Sequence, residues 1–327
     1  MKQHLLYPDI CKFVAIFLVT WSHSAQCISG RMWTNLWGGA QIDIAFNMPL
    51  FMLISGWFIN LEKMRNTSFS NYFLKKFKRL IIPSAVWYFI HTVIANKIPE
   101  PSISNCYWYF YAMLNYYWYL TALFLCLILI WIFAKLFYND ILCIVLSLTF
   151  VFICPISHIA NVNFMFPFIW AGYGLNKVLS SKYTYHFTTM CFFIGGGLCI
   201  FWNPYFSVYI SPLTISYVTW HMIIIYIYRF LLGFCISSFI IYLIKRNEMK
   251  LCRFAIYGQY SLAIYTISII LLNVISTILN KTQIHTNQFV ILDLLSFCLC
   301  IAIVFFSIIF SNYCRRHHYL KLLFLGE

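Results

Sequence analysis

Apolar runs of roughly 17 to 25 residues recur along this chain from end to end, each long enough to cross about 30 Å of hydrocarbon. A backbone in that medium must satisfy its own hydrogen bonds, so such runs become helices. Composition agrees: 62% of the 327 residues are hydrophobic and 9% are charged, against about a quarter charged in a soluble domain. The chain therefore reads as an all-α polytopic membrane protein. No polar stretch exceeds about twenty residues, which leaves no room for a separate soluble domain. The first run keeps charges near its start, lacks a clean small-residue cleavage site and is followed by further runs, so it reads as a span and not a signal peptide.

The pattern predicts about ten transmembrane helices, at roughly 9–28, 41–60, 80–96, 117–137, 141–156, 163–179, 187–203, 214–244, 255–279 and 289–311. Residues 1–311 form one transmembrane domain and 312–327 a short basic cytoplasmic tail. Orientation follows from the Lys and Arg of the short loops. With both termini cytoplasmic, seventeen of the 22 basic residues fall inside, only Arg31, Lys97 and Lys281 outside, and Lys12 and Arg229 within spans. The net charge of +14 is then a positive-inside signal plus attraction to anionic membrane lipid, and requires no nucleic acid. Trp33, Trp37, Tyr107, Trp108 and Tyr109 are expected in outside loops as an interfacial aromatic belt.

Thirteen cysteines sit mostly singly in apolar runs, with no CxxC pair. They read as small buried hydrophobes, not metal ligands. His317 and His318 lie in the basic tail, where contact with headgroups is expected. The chain contains no Walker loop, dinucleotide fingerprint, HExxH or GxSxG, which removes most ATP-driven and hydrolase readings.

Polar groups inside the spans carry the functional signal, because an intramembrane ionisable residue is costly. Lys12 and His23 are eleven residues apart in the first span. On an α-helix that spacing is three full turns plus about 20°, so both lie on one stripe about 16 Å apart along the axis, with Asp9 about 60° from Lys12. Such a stripe should face protein or water. A neutral imidazole here is a candidate general base. Asp9 is an i,i+3 partner for Lys12. The stretch Lys75, Lys76, Lys78 and Arg79 leads into the third span and suits the phosphates of a nucleotide-containing cofactor, although a cytoplasmic span end has the same composition. Arg229, Asp43 and Asp293 are further intramembrane candidates, an internal ion pair being the structural alternative.

These residues lead to a resemblance. YPDICKFVAIFLVTWSHS at the start is similar to the first helix of the integral-membrane acyltransferase 3 family, whose basic residue, ten residues and then histidine map onto Lys12 and His23. In order, FNMPLFMLISGWF at 46–58, KKFKRLIIPSAVWYF at 75–89, YWYLTALF at 117–124, FPFIWAGYGL at 166–175 and YGQYSLAIYTIS at 257–268 resemble later family blocks. The likeness spans nearly the whole chain. It departs where arginine is commoner than Lys12, where histidine is frequent in place of Asn47, and where a block often ends in histidine but here ends in Ser268. Family roles of those two histidines do not carry over. Lys12 keeps the charge but not the bidentate fork.

The resemblance implies a stand-alone membrane O-acyltransferase without the esterase-like domain that many relatives append. It implies transfer of an acyl group, usually acetyl, from cytoplasmic acyl-CoA as co-substrate to a hydroxyl of an envelope or exopolysaccharide glycan, free or lipid-linked, at a bacterial cytoplasmic membrane. His23 then acts as base or acyl relay. Lys12, Lys75, Lys76, Lys78 and Arg79 engage donor phosphates, and Asp9 holds Lys12. Trp118, Tyr119, Asn47 and Arg229 are candidate acceptor contacts. The competing reading is a multi-pass transporter of a lipid-linked glycan or small solute. The lack of visible internal repeats weighs against it.

Overall fold

The protein is described by a computed structural model covering residues 5–31, 42–95, 102–154, 159–203, 206, 218–282 and 289–327. Among these residues every regular element is helical and there is no strand. The longer helices are α1 (Tyr7–Ser29), α2 (Asn47–Trp57), α3 (Phe69–Ile94), α4 (Ile103–Tyr116), α5 (Trp118–Leu136) and α6 (Asp140–Ile153). They continue with α7 (Val162–Val178), α8 (Thr184–Ile200), α9 (Trp220–Arg246), α10 (Ser261–Thr282) and α11 (Phe289–Arg315). Tyr7–Ser29, Trp118–Leu136, Trp220–Arg246, Ser261–Thr282 and Val290–Arg315 are each long and apolar enough to cross a membrane. Each of the other five expected spans also holds a helix.

Local chemistry sets several helix ends. Asn139 precedes α6 and accepts hydrogen bonds from the backbone N–H of Ile141 and Leu142, covering two donors the helix leaves open. Gly30 ends α1 at φ +63°, a left-handed conformation that a side chain resists. At the other end of α1, Glu248 Oε1 accepts from Leu6 N at 2.7 Å and Tyr7 N at 3.0 Å, a cap supplied from 240 residues away in sequence. Tyr107, Trp108 and Tyr109 lie on the helix Ile103–Tyr116 and not in a loop, because Ser102 accepts from Asn105 N and starts that helix. Trp33 and Trp37 fall outside the described residues.

The contacts divide the chain into two compact units: Met1–Phe58 with Phe168–Val208 and Ile223–Phe310, and Ile59–Pro167 with Tyr209–Met222 and Ser311–Glu327. In the first, α1 packs against α10, α2 and the turn Ala255–Gly258. Glycines bring backbones together there, as small residues do where lipid gives helices no hydrophobic reason to associate. A Cβ on Gly56 would lie 1.9 Å from the Ile169 carbonyl oxygen, one on Gly172 2.1 Å from that of Leu53, and one on Gly258 2.0 Å from that of Asp9. Phe13 stacks on Phe254 and Phe17 meets Phe297 edge-on, while Trp21 Nε1 donates to Ser296 Oγ at 3.0 Å.

In the second unit, Arg65 ties three elements together. Its Nε donates to Ala134 O and its Nη2 to Phe137 O and the Asp140 carboxylate, while Lys135 donates to the Arg65 carbonyl. Residues Lys321–Leu325 do not trail as a free tail. They pack along α3, with Trp87 Nε1 donating to Phe324 O at 3.2 Å.

Candidate active site

Between Lys12 and His23 on their shared stripe stand Ile16 and Val19, at 0% and 1% exposure. That stripe therefore faces protein along its middle, as the spacing required. His23 is accessible, although Ser22, Ser24 and Ala25 around it are buried. Ile16 and Val19 are thus packed against protein, while the two ends of the stripe, Lys12 and His23, are accessible.

His23 Nδ1 lies 2.7 Å from Gln26 Oε1. A carbonyl oxygen only accepts, so this contact requires the hydrogen on Nδ1 and leaves the Nε2 lone pair available. Gln26 thereby does for His23 what an orienting partner does for a catalytic base: it fixes ring and tautomer together. Gln26 was not among the candidates read from sequence, yet its i,i+3 spacing from His23 was the available signal.

At the other end of the stripe Lys12 Nζ is 2.8 Å from Asp9 Oδ1, with side-chain exposures of 29% and 13%. Pairing leaves neither charge alone in a half-buried site, where an uncompensated charge is strongly unfavourable. The same ammonium lies 5.4 Å from the Phe58 ring centre, at the end of α2. Nearby, Tyr7 meets Trp57 edge-on, and Lys245 lies about 6 Å from both rings while donating to Leu179 O. Lys245 thus brings a cation to the Tyr7–Trp57 pair. Its signal was tertiary.

The first unit also holds three other buried polar candidates. Asn47 opens α2 and its Oδ1 accepts from Met48 N at 2.6 Å, so that oxygen is engaged in its own helix start. Arg229 is 1% exposed, its guanidinium 4.5 Å from the centre of the Trp202 ring. One turn further along α9, Gly233 admits Pro49 and the Ala45 carbonyl at distances that a Cβ would block. Asp43 is 2% exposed, and its carboxylate faces the Ser22 hydroxyl of α1.

The remaining candidates belong to the second unit. Lys75, Lys78 and Arg79 are exposed on the first turns of α3 and Lys76 is half-buried. Lys76 Nζ lies 5.5 Å from the Tyr72 ring centre. Partial burial, and then the like charges of Arg79 and Lys75, push the Lys76 ammonium down to about 8. Trp118 and Tyr119 open α5, Tyr119 buried at 6% exposure and meeting Trp118 edge-on. The structure thus joins Asp9 to Lys12 and His23 to Gln26, and gathers the four basic residues on one helix start. Among the described residues no group of three or more His, Cys, Asp or Glu side chains could hold a metal ion.

A helical, multi-pass membrane protein with a histidine base candidate and a separate basic helix start defines the class. The family model for an acyltransferase domain, Acyl_transf_3, matches residues 5–312, so this chain is a member of that acyltransferase family. The match covers nearly all of both units and shows the protein to be a membrane acyltransferase. No curated protein and no solved structure matches it.

Proposed function

We propose that the protein transfers an acyl group, most simply acetyl, from cytoplasmic acyl-CoA to a hydroxyl of a cell-envelope or exopolysaccharide glycan. His23 Nε2 takes the hydroxyl proton as the oxygen attacks the thioester carbonyl. The tetrahedral centre then expels the coenzyme A thiolate, which takes up the proton from the imidazolium. Proton and acyl group both balance, and the imidazole returns to its starting tautomer. The variant path, in which Nε2 first accepts the acyl group, uses the same nitrogen.

The observation that carries this reading is the His23–Gln26 contact, which supports Nε2 as the basic nitrogen, at one end of a stripe whose middle packs against protein. Lys12 suits the donor's phosphate end. Its separation from His23, about 16 Å along the helix, matches what an extended pantetheine arm bridges. The basic start of α3 supplies further charge for the donor. On the ten-span reading with both termini cytoplasmic, the bias of Lys and Arg assigns Lys12 and that basic start each to the cytoplasmic end of its span. Trp118 and Tyr119 suit the acceptor, since aromatic faces match the C–H faces of sugars. A bacterial cytoplasmic membrane follows from the donor and acceptor together.

The test is mass analysis of surface glycan from cells with and without the gene. The proposal expects an added acyl mass that depends on the gene, on an unchanged amount of polymer. Loss of polymer without a change in acylation would mean export instead.

A further inference from the structure

After α11 ends at Arg315 the chain turns back, and Lys321–Leu325 packs along α3 with the Phe324 and Trp87 rings 5.1 Å apart. Gly326, at φ +66°, sits so close to the basic helix start that a Cβ there would lie 2.5 Å from the Arg79 carbonyl oxygen. Glu327 follows, one Cα–Cα step of about 3.8 Å from that contact. Its carboxylate meets the Arg315 fork, Nη2 to Oε1 at 2.8 Å and Nε to Oε2 at 3.3 Å, and Lys321 Nζ stands 3.6 Å from Oε2.

A guanidinium fork with a lysine beside it is the geometry by which proteins hold phosphate. Here its occupant is a side chain of the same protein. The side-chain exposures are 24% for Arg315, 39% for Lys321 and 36% for Glu327. Ion pairs this exposed add little net stability, so a better anion exchanges readily with the carboxylate. A phosphate group carries up to two charges and three acceptor oxygens, more than the carboxylate offers.

We propose that Arg315 and Lys321, on the segment that Gly326 packs against the α3 backbone at Arg79, form a phosphate-binding site, and that Glu327 fills it until a phosphate displaces it. The site takes phosphate from one of two sources: the phosphates of the nucleotide-containing donor, or the headgroup of an anionic phospholipid. The first deepens the donor reading above and rests on it.

The test uses the full chain in phosphatidylcholine nanodiscs, with binding of free coenzyme A measured for wild type and Glu327→Gln. The variant is expected to bind coenzyme A about three- to fivefold more tightly, whereas phosphate-free pantetheine binds both alike. A gain in affinity cannot come from misfolding, and a contact that only anchors the segment would produce a loss. Native mass spectrometry from mixed phosphatidylcholine and phosphatidylglycerol discs reads the lipid source. More phosphatidylglycerol retained by the variant, with coenzyme A affinity unchanged, assigns the site to headgroups. A variant that matches or falls below wild type in both measurements overturns the site. Wild type that binds no coenzyme A removes the donor reading, and the lipid arm alone then decides the site.

Discussion

The proposed reaction turns on which ring nitrogen of His23 carries hydrogen, and one neighbour, Gln26, sets that. Replacing Gln26 by Leu keeps the size roughly but removes the acceptor for Nδ1–H. The ring is then free to hold the wrong tautomer. Acyl transfer by Gln26→Leu is expected to fall about ten- to a hundredfold in kcat with membrane expression preserved, whereas Gln26→Glu, which still accepts, should keep most activity. A single-turnover assay on both variants checks it. Lys12 poses a different question, because Asp9 and Phe58 need only a cation there. Lys12→Arg should retain substantial transfer and Lys12→Ala should lose it. Equal rates for the two, in an assay of labelled acetyl transfer, would take Lys12 out of the donor site.

Among the elements, α3 makes a pH prediction. Lys76 is charged below about pH 8 and neutral above, because partial burial and its basic neighbours lower its proton affinity. In the proposed donor site its attraction for phosphate is therefore present at pH 7 and lost by pH 9. The KM for acyl-CoA should rise across that interval in wild type, and the rise should flatten in Lys76→Arg, whose charge persists. An unchanged KM from pH 7 to 9 would exclude Lys76 from donor binding. The close helix pairs predict a stability effect. Ala at Gly56 or Gly172 drives a methyl group into a backbone carbonyl and forces the helices apart. Overpacking of this kind costs about 1–3 kcal/mol, which thermal unfolding in detergent should show as a lowered midpoint for either variant.

For the whole molecule, the apolar runs located helices because length and hydropathy act locally, and five of those helices are long and apolar enough to cross a membrane. The runs could not show that Ile103–Tyr116 is a helix, because its aromatic surface reads equally as an interfacial loop and Ser102 decides the matter through one cap. The Lys12–Asp9 pair was legible because both residues share a helix. The expectation that their stripe faces protein or water, which follows from the cost of charge in lipid, is met by protein along its middle, at Ile16 and Val19. The Glu248 cap on α1, Lys245 beside Tyr7 and Trp57, and the return of Lys321–Leu325 onto α3 were not legible. Each joins residues far apart in sequence, and no periodicity records such a contact.

In the proposed mechanism His23 Nε2 moves a proton in acyl transfer. The direct measurement is the rate of labelled acetyl transfer from acetyl-CoA to surface glycan in membranes containing wild type or His23→Ala at matched expression. Loss of a positioned general base costs about 10²- to 10⁴-fold in rate, so transfer by the variant should drop by at least that lower factor. Transfer at the wild-type rate would contradict the account.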